Sequence, residues 1–229
     1  IVMTDHGHFL GDHDWWGKPS CPHYRAISHI PLFISFPGVA GGTRCEALAT
    51  HVDIHATILD CLGSSPPTPI DGVSLLPALR GERDQVREDL LFGSFGRRVN
   101  WTDGHQVYMR ALAREDNQPL HLYTNRWSTA PWWQIPMPDE RAEFGRFMSR
   151  VDMPVGRMPL ATGDMRRIHG IDASDLQGGS LLFDIDGDPE EGENLVGTAG
   201  EVEAAKRMAG RLEEQAAPAE QFERLGLFV

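Results

Sequence analysis

The four residues Ile1-Val2-Met3-Thr4 run directly into Asp5-His6-Gly7-His8. Such a run is too short for a helix and suits a buried strand. Polar groups leaving the end of a buried strand belong at the carboxyl edge of a sheet, where α/β folds build their sites. Asp5 and His6 are consecutive, so in a continuing strand their side chains would point to opposite faces. To act together they need an immediate turn, and Gly7 supplies the freedom for one. Phe9 to Pro22, rich in Gly, Asp and Trp, then reads as a loop.

The apolar run 30–36 predicts a second strand, with Pro31 near its start because proline cannot donate to a ladder. Val52, Ala56, Leu59 and Leu62 recur at helical spacing, which predicts a helix over 52–62 with Thr50 or Asp53 at its start. A short helix is expected over 75–79, stopped by Gly81. Strands are expected at 90–95 and 106–110, joined by a turn containing Asp103-Gly104, and at 181–185. Residues 127–138, with three tryptophans, read as irregular but packed. Val202, Ala205, Met208, Ala209 and Leu212 predict a terminal amphipathic helix over 200–217. A change of character between 80 and 90 divides the chain into 1–85, an α/β piece, and 86–229, a smaller α+β subdomain.

The formal charge of -12 argues against nucleic acid as a partner, since such binders carry a basic stripe. The only dense basic clusters are Arg97-Arg98 and Arg166-Arg167. No apolar run reaches the roughly 18–20 residues of a membrane helix, and no leader peptide is visible, which leaves the compartment open. Cys21, Cys45 and Cys61 form no CxxC pair, and free thiols are the preferred reading over a single disulfide.

The densest polar cluster is Asp5, His6, His8, Asp12, His13, Asp14 and Lys18. Carboxylate oxygen with imidazole nitrogen suits Zn, Mn or Fe, and calcium tolerates one nitrogen. On spacing alone His6 and His8 also read as packing or surface histidines. Asp12 and Asp14 read better as turn residues, and Lys18 as a solvated amine.

The segment from Thr4 to His13, followed by Trp16-Gly17-Lys18, resembles the second metal-binding region of the sulfatases, within the alkaline phosphatase superfamily. His29 to Ile34 with Pro37-Gly38 is similar to the family's next buried strand. His51 to Asp60 resembles its following helix, although His55-Ala56 stands where a residue-proline pair is usual. Asp71 to Leu79 continues the match, and Leu182 to Ile185 with Asp188-Pro189-Glu190-Glu191 and Asn194-Leu195 is similar to a frequent C-terminal signature. The resemblance implies an alkaline-phosphatase-like mixed sheet flanked by helices, present in part. It implies Asp5 and His6 as ligands of one divalent metal ion, calcium or manganese ahead of zinc. Lys18 would contact sulfate or phosphate oxygens, a role suited to a mobile point charge. His8, where the family often has Glu, would orient the loop or touch substrate. Tyr24 and Arg25 stand as supports that no spacing selects.

Sulfatases also use paired aspartates and a C/S-x-P-x-R motif whose cysteine or serine becomes formylglycine, the nucleophile. Neither occurs here. Cys21-Pro22-His23-Tyr24-Arg25 has the wrong spacing, and Cys45 and Cys61 do not fit. The expectation is therefore that a missing N-terminal segment or complementary chain completes both sheet and site and supplies any formylglycine. The parent activity expected is sulfuric ester hydrolysis, on a sulfate-ester small molecule. A phosphodiesterase or phosphonate monoester hydrolase of the same superfamily is the first alternative, and a non-catalytic remnant or interaction subunit the second. Trp127, Trp132 and Trp133 read as a packed cover over the sheet rather than a substrate platform, and Arg97, Arg98 and Arg110 as surface or structural charges.

Overall fold

Val2–Met3 (β1) pairs antiparallel with Leu32–Phe33 (β4), Val2 opposite Phe33 and Met3 opposite Leu32. The computed structural model describes residues 1–18, 21–125, 138–148, 152–161, 164 and 178–227, with the backbone of 129–130 and 133–134. Between β1 and β4 lie a tight hairpin of Phe9–Leu10 (β2) and Trp16–Gly17 (β3), and the four-residue helix Arg25–Ser28 (α1). His51–Cys61 (α2) and Leu76–Leu79 (α3) follow. Asp12 and Asp14 sit in the turn of the hairpin, and the Asp12 carboxylate accepts the Leu10 N–H at 3.1 Å, so the turn reading of these two holds.

The helix over 51–61 starts where expected, with Thr50 as N-cap and the Asp53 carboxylate accepting the Thr50 N–H at 2.8 Å. Its buried face is not the one the apolar spacing predicts. Asp53 and Thr57 are fully buried, whereas Val52 and Leu62 are exposed. The reason is polar. Asp53 takes the Val73 N–H and an ion pair from Arg87, and the Thr57 hydroxyl accepts the Leu75 N–H. Buried polar groups are retained where their hydrogen bonds are met, and here they fasten α3 and its approach to α2.

The main antiparallel sheet has the order β13-β7-β6-β5, from Leu90–Gly93 (β5), Val99–Thr102 (β6), Gln106–Arg110 (β7) and Leu181–Asp184 (β13). The sequence reading missed β6. Asp103-Gly104 therefore turns β6 into β7 rather than joining the strand at 90 to that at 106. A second sheet, missed entirely, has the order β11-β12-β8, from His121–Thr124 (β8), Glu143–Gly145 (β11) and Val155–Pro159 (β12). Thr129–Ala130 (β9) and Trp133–Gln134 (β10) pair as a short ladder. The side chains of Trp127, Trp132 and Trp133, and the Arg166-Arg167 cluster, lie outside the described residues.

Alternation along β7 decides the packing. Tyr108 joins Trp101 and Leu182 on the face covered by Ala199–Glu214 (α4) and Ala219–Leu225 (α5), through Ala204, Met208, Leu212 and Leu225. Fully burying a large apolar side chain contributes about 1.5–3 kcal/mol. Val202, assigned to the inner face of this helix, is instead exposed. Val107 and Met109 occupy the other face with Phe183, and there they meet Tyr24. Tyr24 also belongs to a cluster of Phe9, Cys21 and Ile27. One aromatic ring thus joins the sheet to the segment carrying the polar cluster. Sheets flanked by helices match the α/β class expected from the sequence.

Candidate functional site

Three of the four sequence-predicted site residues converge. The Lys18 ammonium donates to His6 Nε2 at 2.7 Å, and an Asp5 carboxylate oxygen lies 3.4 Å from the same nitrogen. His6 Nδ1 is 2.7 Å from the Gly7 carbonyl oxygen, which can only accept, so Nδ1 carries the proton and Nε2 presents its lone pair. That is the arrangement in which a histidine is prepared for a cation, its second nitrogen tied to a backbone oxygen. Asp5 is exposed, and its carboxyl is held below the usual range by its own backbone amide, aided by His6 and the Thr4 hydroxyl against a small desolvation. It is therefore ionised at neutral pH.

Lys18 is brought to this point by the β2-β3 hairpin, whose second strand ends one residue earlier. His8 is exposed and does not touch the trio. Its ring lies beside Gly17, 3.9 Å from where a Cβ would stand, so it borders the loop at Lys18.

Gly7 works differently from the sequence expectation. It is absent from the positive-φ residues, so no left-handed turn requires it. Its Cβ would stand 1.8 Å from the Ala26 carbonyl oxygen, and its N–H donates to the Ile27 carbonyl at 2.8 Å. Close approach to α1, rather than backbone freedom, is what selects glycine here. On the opposite side the His51 ring lies 3.1 Å from the Thr4 carbonyl, so α2 supports the strand end that carries Asp5.

Tyr24 and Arg25, which no spacing selects, prove to be the main supports. Tyr24 stacks on His13 at 3.8 Å and packs on Phe183 at 5.8 Å. The Arg25 N–H is held by the buried Glu191 carboxylate at 2.7 Å. Cys21 is buried, and burial pushes its thiol up, which disfavours the thiolate a nucleophile needs. Cys45 is exposed, Cys61 half-buried, and none of the three is in a disulfide.

A divalent metal finds only part of a site in this chain. Among the described residues no group of three or more His, Cys, Asp or Glu could hold one. Catalytic metals normally take three or more protein groups. Asp5 and His6 have the right donor types and a shared direction, so they fit as two ligands of a larger set.

Antiparallel sheets backed by helices are an architecture this chain shares with solved sulfatases. Aligned with a solved 2-O GAG sulfatase, it covers 95% of its own length and 36% of that chain, at a TM-score of 0.58 and 16% identity, a likeness of fold alone. Residues 11–129 match the family N-sulphoglucosamine sulphohydrolase, C-terminal, and the chain belongs to that family. Lys18 falls inside the matched stretch, while Asp5, His6 and His8 precede it. The chain is 35% identical over 127 residues to N-acetylglucosamine-6-O-sulfatase of Bacteroides thetaiotaomicron, covering 55% of this chain and 22% of that protein. It is 42% identical over 94 residues to the multifunctional alkaline phosphatase superfamily protein PehA of Trinickia caryophylli, covering 39% and 18%. It thus spans about a fifth of the length of these relatives.

Proposed function

We propose that this chain supplies Asp5 and His6 as two ligands of a divalent cation, and Lys18 as an anion contact, to a sulfuric ester hydrolase. The carrying observation is that the Asp5 carboxylate and the Lys18 ammonium both approach the lone-pair nitrogen of His6. A divalent cation there would draw charge from an ester oxygen. The chain's own residues would hold the ester: Lys18 offsets negative charge growing on the transferred group, and His8, bordering Gly17, faces the approach to it. Calcium or manganese ahead of zinc is what the sulfatase resemblance implies, and calcium tolerates the single imidazole nitrogen.

A companion segment, upstream in the same polypeptide or in a second chain, is proposed to complete the ligand set and to bring the nucleophile, formylglycine if the parent is a sulfatase in the strict sense. Two facts support this. Val2 and Phe33, paired across the first ladder, leave apolar side chains 68% and 67% exposed, more than a finished sheet usually leaves. The relatives are several times longer. The division near residue 85 is retained as the proposed boundary between catalytic piece and subdomain.

The likeness to PehA keeps phosphoryl esters in view as the second reading. One experiment separates the readings. Metal content and hydrolysis of matched aryl sulfate, phosphodiester and phosphonate monoester substrates are measured for the natural full protein and for Asp5→Ala. Sulfate-ester turnover lost together with metal in Asp5→Ala supports the proposal. Faster phosphoryl-ester turnover moves it to the second reading. A metal-free protein inert to all three esters leaves an interaction subunit that has kept the fold.

A further inference from the structure

We propose that Glu191 is a positioning residue that holds the Asp5–His8 loop through α1, and that its grip loosens when its carboxyl ionises. The importance given to the loop rests on the hydrolase reading; the contact itself does not.

Glu191 follows β13, far from Asp5 in sequence, and is 3% exposed. Its backbone is left-handed, with φ 55°, a conformation that a non-glycine residue adopts at a cost and keeps only where its surroundings enforce it. Oε2 accepts the Arg25 N–H at 2.7 Å. Oε1 is buried and has no hydrogen-bond partner among the described residues. A buried carboxylate oxygen without a partner is expensive, so this glutamate is not placed for stability.

What it holds is small. A helix of four residues has no intrinsic stability, so α1 lies where its anchors put it. Glu191 takes its first N–H. The Ile27 carbonyl takes the Gly7 N–H at 2.8 Å, and the Ala26 carbonyl forms the wall against which Gly7 lies. Gly7 in turn accepts from His6 Nδ1. The path from Glu191 to the His6 ring is therefore one short helix and three hydrogen bonds.

The charges around the carboxyl are mixed. From α1 it faces Arg25 and the Tyr24 phenol, and Tyr24 in turn feels Arg98 and Cys21 and stacks on His13. From its own loop it faces Asp188 and Glu190. Burial first, then these two acids, push it up to about 7 against the Arg25 amide and guanidinium. Near neutrality it therefore passes between a neutral acid, which the buried position favours, and a carboxylate, whose lost hydration outweighs its stronger bond from Arg25 and opposes the closed arrangement.

The test is amide hydrogen exchange in the natural full protein, corrected for intrinsic rates, at about pH 6 and about pH 8. The expected result is protection of the Arg25 and Gly7 amides about tenfold lower at the alkaline end, because an ionised carboxyl favours the open state in which it meets water. The Tyr108 and Leu182 amides in the main sheet show no such step. Glu191→Gln keeps the acceptor and removes the ionisation, so its Gly7 step disappears. Glu191→Ala lowers protection at both ends; should it fail to fold, wild type and Glu191→Gln still decide. An unchanged step in Glu191→Gln, or a step shared by the whole sheet, overturns the inference. Ester hydrolysis is assayed alongside. Turnover without the step discards the positioning role, and the step without turnover discards the hydrolase reading while leaving Glu191 its role.

Discussion

The Lys18 ammonium lies 2.7 Å from His6 Nε2, on the lone pair that a metal ion would use. A divalent cation and Lys18 therefore compete for one position until an anion draws the lysine away. Lys18→Met is expected to tighten metal binding, on the order of fivefold for removal of one like charge at this range near water. Turnover is expected to fall by about 10²–10³, since a charge aimed at the transferred group is lost. Calorimetric titration with manganese beside steady-state kinetics checks both. Weaker metal binding in Lys18→Met would contradict the competition.

Gly7 is the tightest steric point of the site. A methyl at this position would meet the Ala26 carbonyl oxygen at 1.8 Å, and that atom is backbone that cannot swing aside. Gly7→Ala is expected to cost roughly 2–3 kcal/mol of stability, as an overpacking change that moves main chain, and to separate Asp5 and His6 from α1. Gly41→Ala is the control, because nothing lies within 4 Å of its added carbon, and it is expected to change stability by no more than about 0.5 kcal/mol. Denaturation midpoints of the two variants give the comparison.

The Arg87–Asp53 ion pair fixes α2 from beneath. Asp53 is fully buried and Arg87 nearly so. Arg87→Met leaves a buried carboxylate with only the Thr50 and Val73 amides, and is expected to cost about 3 kcal/mol. Replacing Asp53 by Leu as well is not expected to restore stability, since those two amides then lose their acceptor. Because His51 of α2 meets the Thr4 carbonyl, Arg87→Met is also expected to weaken metal binding. Chemical denaturation with a metal titration tests the two effects separately.

The strand before Asp5, the α2 start at Thr50 and the turn at Asp103-Gly104 were legible because each depends on neighbours in sequence. The convergence of Asp5, His6 and Lys18 was legible only through resemblance; spacing left each with a bland alternative. What escaped was set by distant partners. Val52 and Leu62 have helical spacing, but the buried face of α2 belongs to Asp53 and Thr57, whose tertiary partners lie 18 or more residues away. β8 and β11 are short, and Glu143 in β11 and Arg157 in β12 interrupt the apolar pattern, so no alternation marked them. Glu191 stood only within the C-terminal signature of the resemblance, and nothing near it in sequence points to Arg25.

His23 and Glu191 give stability opposite slopes with pH. Burial, then the charges of Arg97 and Arg98, hold His23 at about 4 instead of 6.5. The unfolded chain binds this proton more readily, so the contribution of His23 is full above pH 6.5 and is lost as pH falls through about 4. Glu191 is raised from 4.5 to about 7, so the folded chain binds its proton more readily. Its contribution is full below pH 4.5 and is lost as pH rises through about 7. Each shift is worth at most about 3 kcal/mol. Where the windows overlap, between 4.5 and 6.5, the two slopes cancel and the pair adds no net pH dependence. Glu191→Gln is expected to unmask the His23 slope, so stability climbs with pH across that interval. His23→Gln, which can still bond the Ser94 hydroxyl, is expected to unmask the opposite fall. Urea midpoints measured from about pH 4 to about pH 8 distinguish them, and two variants with parallel curves would remove both assignments.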